Sequence, residues 1–319
     1  MKKLKFLVSL RTEESSNQRL NAAAAEEMAG RLGVEVQVLY AGNDAIMQSE
    51  QLLKAIHSQS PHSRPDGILC SPVGTPLMQA ARSAAAAGIG WAILNRNVDY
   101  LGELRRSYHV PIFSVLVDHQ EVGRIQASQM AALLPAGGMA LCVMGPAGHP
   151  ITEQRLSSML SAKPSNIQVK ILAGDWTQQG ACKAVTRWLR VRTRYDAPVK
   201  LVAAQNDEMA IGARHAFRDE ANGDLAPWIS VPFLGSNCCP GTGPEWIQRG
   251  WLAASIINPP TAGVALEMMV QAMQTNAPPP ERKILDPASY PQIEKLGARP
   301  VANSRIDTLK AQELPRPSR

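Results

Sequence analysis

Apolar residues along the chain form short uniform runs separated by longer amphipathic stretches. Runs such as Phe6–Leu10 and Leu201–Ala204 have the length and uniform apolarity of strands buried on both faces of a parallel sheet. Strands are predicted near residues 5–10, 35–39, 67–71, 91–95, 139–144, 167–172, 200–204, 231–235 and 252–256. Helices are predicted near residues 18–32, 44–58, 76–87, 119–134, 152–162, 178–191, 207–219, 243–249 and 261–275.

Strands and helices therefore alternate, with the spacing of right-handed βαβ units. They form two successive series, which predicts an α/β fold of two doubly wound parallel-sheet lobes. In the first helix, one face is predicted to be apolar, and Gly33 is predicted to end the helix. The residues of that face are Leu20, Ala23, Ala24, Met28 and Leu32.

Composition is that of a folded globular chain. The 319 residues are enough for two domains that each bury a core, and 45% hydrophobic with 19% charged residues excludes a disordered chain. The net charge of +6 invites a nucleic-acid interpretation, but the basic residues are scattered or lie in the C-terminal tail rather than forming a stripe. We expect no DNA binding by this chain alone.

The first ten residues bear on localisation. Met1–Lys5 resembles the charged start of a signal peptide, but the apolar run Phe6–Leu10 stops at Arg11 and no small-residue cleavage site follows. No run approaches the length of a membrane span. The chain as it stands is expected in the cytoplasm, and in the periplasm if an upstream signal was removed.

Motifs for catalysis and metal binding are missing from the sequence. It has no G-x-S-x-G, H-E-x-x-H or Walker pattern and no Cys/His spacing typical of zinc, so we expect no enzyme activity, cofactor or metal. Two alternatives stay open: a phosphate-binding turn at Gly145–Pro150, and a vicinal disulfide or reactive thiol at Cys238–Cys239. Cys70, Cys142 and Cys182 are expected to be core residues.

The most informative segment is Lys200–Arg214. A buried strand runs directly into Asn206 and Asp207, where a helix pattern opens. Ligands bind at this position of an open parallel sheet, although either side chain could simply cap the helix.

This segment resembles the "NDxxAxGA" turn of type I periplasmic binding proteins. That family comprises ribose- and galactose-type sugar receptors and the effector domains of lactose-repressor-type regulators. Further segments resemble the same family in the same order: 66–73, 88–97, 117–123, 153–155, 233–250 and 254–260.

The resemblance implies a periplasmic binding protein-like I fold with a three-segment hinge near 112–116, 257–260 and 284–290. Lobe 1 would comprise residues 1–113 and 259–285, lobe 2 residues 114–258 and 286–303, and residues 304–319 a polar tail. Such a protein closes like a clamshell on its ligand.

It also implies ligand-binding residues at the strand ends of each lobe. Those of lobe 1 are Arg11, Ser15, Asn17, Gln18, Ser71, Asn95 and Arg96. Those of lobe 2 are Arg155, Asn206, Asn237 and Asn258. Trp176 could stack on a ligand or simply pack in the fold.

The site departs from the family pattern because Asn95 and Asn237 stand where acids are usual. A neutral sugar or polyol suits amide groups, whereas uncompensated arginines favour a sugar acid or sugar phosphate. Loop acids such as Glu13 or Glu14 could supply the missing charge.

The resulting prediction is a non-enzymatic protein that binds a sugar or sugar derivative, as a receptor, sensor or transport component. A transporter or signalling protein would be its partner. The alternatives are a ligand-responsive regulator acting through a separate partner, a sensor of an anionic sugar, and an enzyme on the same scaffold. A helix-turn-helix before the first sheet strand is not predicted, since that strand begins by residue 5.

Overall fold

A computed structural model describes residues 3–58, 64–74, 77–192, 197–220 and 230–296. As far as Val117 the elements are β1 (Lys5–Leu10), α1 (Ser16–Leu32), β2 (Glu35–Tyr40), α2 (Ala45–Ile56), β3 (Gly67–Cys70), α3 (Met78–Ala86), β4 (Gly90–Leu94), α4 (Leu101–Ser107) and β5 (Ile112–Val117). Then follow α5 (His119–Leu133), β6 (Gly138–Met144), α6 (Pro150–Ala162), β7 (Ile167–Ala173), α7 (Gln178–Val191), β8 (Val199–Ala204), α8 (Asp207–Glu220) and β9 (Phe233–Leu234). The last are α9 (Gly243–Gln248), β10 (Ser255–Ile257), α10 (Thr261–Thr275), β11 (Arg282–Leu285), β12 (Ala288–Tyr290) and a 3₁₀ turn at Ile293–Lys295.

The chain divides into two compact units. Unit 1 comprises Met1–Val117 and Pro259–Leu285, and unit 2 comprises Asp118–Asn258 and Asp286–Arg319. Residues 112–116, expected to cross between lobes, instead lie in β5, which pairs with β4 and β11 inside unit 1. The expected lobe boundary between residues 113 and 114 would divide β5. This strand is as apolar as the strands beside it, as expected of a strand inside the sheet. Residues 297–319, which include the expected polar tail, lie outside the described residues.

Unit 1 is built on a parallel sheet with strand order β11-β5-β4-β3-β1-β2. Its central strands β1, β3, β4 and β5 are mostly apolar on both faces, so alternate residues enter different cores. In β1, Phe6 and Val8 pack with α1 and α10, whereas Leu7 packs with α2 and α3 on the opposite face. Because both faces are covered, the polar groups that can meet a ligand are confined to the strand ends.

Unit 2 repeats this plan with the parallel order β7-β6-β8-β9. In β6, Leu141 and Val143 pack with α7 and α8, whereas Ala140 and Cys142 pack with α5 and α6. A separate antiparallel pair joins β10 to β12. The predicted α/β class with two parallel-sheet lobes is confirmed.

The buried face of α1 was predicted only in part, since Met28 and Leu32 pack against the core but the fully buried residues are others. Its buried residues are Ser16, Gln18, Asn21, Ala22, Ala25 and Ala29, while Ala23 is exposed. The helix is rotated because Asn21 is used as a buried hydrogen-bonding group, which an apolar count cannot register. Helix α4 was not predicted either. Within the described ranges, no helix is long and apolar enough to cross a bilayer.

Candidate functional site

The loop after β1 in unit 1 is held by its own side chains. Arg11 directly follows the strand, and its backbone N–H donates to Oε1 of Gln18 at 3.0 Å. The Arg11 side chain is half-buried, and burial, with the charge of Arg96 second, lowers the pKa of its guanidinium. The structure therefore places Arg11 and Arg96 close enough to repel each other.

The other candidates of this loop lie at the start of α1. Ser15 is the N-cap residue, but its hydroxyl makes no capping bond. Asn17 is half-buried, and its carbonyl accepts from Nδ2 of Asn21 at 2.9 Å. Gln18 is buried and spends its amide oxygen on the Arg11 backbone, so it shapes the loop.

The ends of β3 and β4 provide the remaining unit 1 candidates. Ser71 is buried, and its backbone N–H donates to Ser9 at 2.8 Å. Asn95 has a left-handed backbone with φ of 60°, and its Oδ1 is buried without a hydrogen-bond partner among the described residues. Arg96 donates from Nη1 to the carbonyl of Gly74. A buried amide oxygen without a donor is a group that a ligand hydroxyl would satisfy.

In unit 2, Arg155 on α6 is buried and already bonded. Its Nη1 donates to the carbonyl of Gln205 at 2.6 Å, and its Nε lies 3.3 Å from Nδ1 of His119. Burial lowers the pKa of Arg155 to about 10, and the charge of Asp207 opposes that shift. Through the bond to Gln205, Arg155 links α6 to the residue that follows β8, so its guanidinium has a structural role.

Asn206 is also occupied by the fold. Its Oδ1 accepts from the backbone N–H of Met209 at 2.7 Å, and its Nδ2 donates to the carbonyl of Trp176 at 2.8 Å. The first of these bonds caps α8. Of the two roles expected for this position, ligand binding or helix capping, the structure shows helix capping.

Asn258 and Asn237 form a pair at the end of β10. Nδ2 of Asn258 donates to Oδ1 of Asn237 at 2.9 Å and to Oγ of Ser236 at 3.1 Å. Oδ1 of Asn258, in a residue only 3% exposed, has no hydrogen-bond partner among the described residues. Unit 2 thus presents the same feature as Asn95 does in unit 1.

Asp207 is a buried group that the sequence had indicated only as a cap. Its Oδ1 accepts from Oγ of Ser255 at 2.6 Å, and its Oδ2 accepts from the backbone N–H of Cys238 at 2.8 Å. Burial raises its pKa well above the ordinary value, and the Ser255 hydrogen bond opposes this. Gly235 and Gly243 pack against the carboxyl group so closely that a Cβ at either position would overlap it. The glycine-rich segment 235–243 is visible in the sequence, but its contact with Asp207 forms only in the folded protein and could not be read from the sequence.

Both glycine amides of the turn at Gly145–Pro150 are already hydrogen-bonded to side chains. The N–H of Gly145 donates to Oε1 of Gln205 at 3.1 Å, and the N–H of Gly148 donates to the carboxylate of Glu153 at 3.2 Å. A carboxylate at this turn also repels an anion. The phosphate alternative is therefore not supported.

Trp176 packs in the fold. Its ring meets His149 edge-on at 5.8 Å and covers Gly145, where a Cβ would collide with it. Its backbone is left-handed, with φ of 71°. Cys238 and Cys239 are both buried and are not joined in a disulfide, and burial raises the pKa of Cys238 to about 12, which disfavours a reactive thiolate there.

Side chains that commonly bind metal ions are not clustered in the part of the chain that the structure describes. No group of three or more His, Cys, Asp or Glu side chains is gathered there. What the two units do present is amide and guanidinium chemistry at the carboxyl ends of parallel strands, which suits polar organic ligands.

Comparison with known proteins gives the family. The sequence model described as periplasmic binding protein domain matches residues 15–277. A putative rhizopine-binding protein of Rhizobium meliloti is 28% identical over 195 residues, which are 58% of this chain and 58% of that protein. The match thus spans little more than half of the curated relative's length.

Solved structures of the same fold cover nearly the whole chain. One is a periplasmic solute-binding protein of an ABC transporter from Actinobacillus succinogenes 130z with bound D-allose; it has a TM-score of 0.77 and 21% identity, covering 93% of this chain and 100% of that one. Another is the Caulobacter myo-inositol binding protein bound to myo-inositol, with a TM-score of 0.73 and 20% identity, covering 96% and 97%. At such identities the likeness shows the fold alone. Since the family model covers most of the sequence, this chain belongs to the periplasmic binding protein domain family.

Proposed function

We propose that this protein binds a hydroxylated small molecule, a sugar or polyol derivative, without transforming it. The observation that carries the proposal is a pair of buried amide oxygens, Oδ1 of Asn95 and Oδ1 of Asn258, that lack donors among the described residues. Both follow sheet strands, in unit 1 and unit 2 respectively. Hydroxyl groups are donors of the required kind, and leaving such oxygens unpaired costs about 1–3 kcal/mol each.

The relatives support the same ligand class. Structures of this fold hold D-allose and myo-inositol, and the curated relative is named for rhizopine binding. Arg11, Asn17, Ser71 and Arg96 would complete the contacts of unit 1, and Asn237 those of unit 2. We assign Ser15, Gln18, Arg155 and Asn206 supporting roles, because their positions or hydrogen bonds build the loops around these groups.

A thermal-shift screen of sugars, inositols and their derivatives, followed by titration calorimetry, tests this proposal. A ligand that binds only the folded state raises the unfolding midpoint by mass action. We expect at least one polyhydroxylated compound to do so and to be recovered chemically unchanged. Recovery of a converted product would instead favour an enzyme on this scaffold.

Partner and compartment belong to the same proposal. We propose a transporter or signalling protein as partner, since this fold occurs in ABC transporter solute-binding proteins and in the fructose-binding domain of a hybrid two-component system. We keep both compartments in the proposal, the periplasm for a transport component and the cytoplasm for a sensor that acts on a signalling partner. Fractionation of the native host decides between cytoplasm and periplasm, and only the periplasmic result fits a transport component.

A further inference from the structure

We propose that Arg11 and Arg96 bind an acidic group, carboxylate or phosphate, on the hydroxylated ligand. The inference rests on the proposed function and names the ligand class more narrowly. Arg11 directly follows β1 and Arg96 lies two residues beyond β4, so both stand at the carboxyl-end edge of the unit 1 sheet. Both side chains are half-buried.

Neither guanidinium forms an ion pair among the described residues, and the charge that acts on Arg11 is the positive one of Arg96. Residues of unit 1 outside the described ranges, 1–2, 59–63 and 75–76, contain no Asp or Glu. Two cations partly removed from water without an anion are unfavourable until a ligand provides one.

The loop acids do not pair with these arginines. Glu13 and Glu14 are exposed, and neither carboxylate forms an ion pair with Arg11 or Arg96 among the described residues. Asp44 lies near Arg11, because the N–H of the preceding residue, Asn43, donates to the Arg11 carbonyl. The Asp44 carboxylate is used to cap α2, where it accepts from two backbone N–H groups. The alternative in which a loop acid neutralises the site is therefore not supported.

Arg155 does not share this property. Its guanidinium is bonded to Gln205 and His119 and feels the charge of Asp207, so it gains little from a further anion. The anion subsite is thus confined to unit 1. Beside it, Oδ1 of Asn95 needs a donor, which an acid group lacks and a hydroxyl provides. The ligand then carries both functions, as a sugar acid or a sugar phosphate does.

Calorimetric titration with matched pairs tests the proposal. The probes are D-glucose against D-glucuronate, and D-ribose against ribose 5-phosphate; the first pair reports on a carboxylate and the second on a phosphate. In the wild type, the acidic member of at least one pair should bind about tenfold or more tightly than its neutral parent. Arg11→Gln should abolish that preference, whereas Arg31→Gln, an exposed arginine in the last turn of α1, should retain it.

Folding is controlled by the unfolding midpoint of the ligand-free protein. Arg11→Gln removes a repelled charge, so its midpoint should equal or exceed that of the wild type. Asn95→Asp is a second variant, which places a carboxylate next to Arg96. It should weaken binding of the acidic probe more than binding of its neutral parent.

Two results overturn the proposal. One is binding of neutral probes at least as tight as that of their acids in the wild type, which leaves sugar binding itself intact. The other is an acid preference that survives both Arg11→Gln and Asn95→Asp. Absence of binding by every probe contradicts the proposed function as well.

Discussion

At the scale of single residues, a polar side chain at a strand end is informative only when its own hydrogen bonds are known. Asn95 and Asn206 are the same residue type in equivalent positions, each just after a parallel strand. Oδ1 of Asn95 has no donor among the described residues, whereas Oδ1 of Asn206 caps a helix. Sequence alone could nominate both but could not separate them.

Arg155→Ala is predicted to be a stability variant. It removes the donor from the buried carbonyl of Gln205, and the free energy of unfolding should fall by about 2–4 kcal/mol. Arg155 was expected from the sequence to be a ligand-binding residue, whereas its hydrogen bonds indicate that its loss affects folding. Urea unfolding measures the change. Arg124→Ala, which breaks an exposed ion pair with Glu121, is the matched control and should change the free energy of unfolding little.

Asn206→Ala should lower the free energy of unfolding by about 1 kcal/mol, because the N–H of Met209 loses its cap. Asn206→Ser retains a capping hydroxyl and should lose less. Thermal unfolding of the two variants makes the comparison. Equal stability of wild type and the alanine variant would show that the cap contributes nothing.

At the scale of elements, the pattern of apolar runs was sufficient for most strands and helices. Beta strands such as β1 and β8 are uniformly apolar because helices cover both faces of each sheet, so their signal is strong. Helix α4 is only seven residues long, too short for a clear period. The buried face of α1 was partly misplaced because it is fixed by Asn21, whose role depends on residues 240 positions away.

Asn21 is predicted to hold α10 in place. The N-cap residue of α10 is Pro260, which makes no side-chain cap, and Oδ1 of Asn21 instead accepts from the N–H groups of Thr261 and Ala262 at 2.9 and 3.0 Å. Asn21→Ala should lower the free energy of unfolding by about 2 kcal/mol. Glu27→Ala, exposed on the same helix, is the control for helix propensity and should change it little. Denaturant titration of both variants tests this.

At the scale of the whole molecule, the family and the division into two units were predictable. Several segments resemble the family in the same order along the chain, and that order indicates the same topology even at low sequence identity. The confirmed resemblance is to the family model over residues 15–277. The ligand was not predictable to the same degree, because which arginines remain uncompensated depends on side-chain packing. Arg11 and Arg155 look alike in sequence, yet only Arg155 is bonded to a carbonyl.

Stability of the whole protein should fall in mild acid partly through His215. This side chain on α8 is buried, and burial, with the charges of Arg218 and Arg214 adding to it, lowers its pKa to about 4. A base with a lowered folded pKa contributes stability that is complete above about pH 6.5 and is lost as the pH falls through about 4.

His215→Gln removes that titration. The loss of unfolding free energy between about pH 6.5 and pH 4 should be about 2 kcal/mol smaller in His215→Gln than in the wild type. Chemical unfolding across this range, on both proteins, gives the difference. Parallel pH curves would show that His215 is not held neutral by the fold.

We expect the amide oxygens of Asn95 in unit 1 and of Asn258 in unit 2, which are unpaired among the described residues, each to accept a hydrogen bond from a hydroxylated ligand. The direct measurement is titration calorimetry of the tightest ligand from the screen against the wild type, Asn95→Ala and Asn258→Ala. Each substitution removes an acceptor that no described residue satisfies, so we expect affinity to fall about tenfold or more. The unfolding midpoint should fall modestly, because Ala is less favourable than Asn in the left-handed backbone of residue 95 and because Asn258 loses its hydrogen bonds to Ser236 and Asn237. Wild-type affinity in both variants would contradict the account.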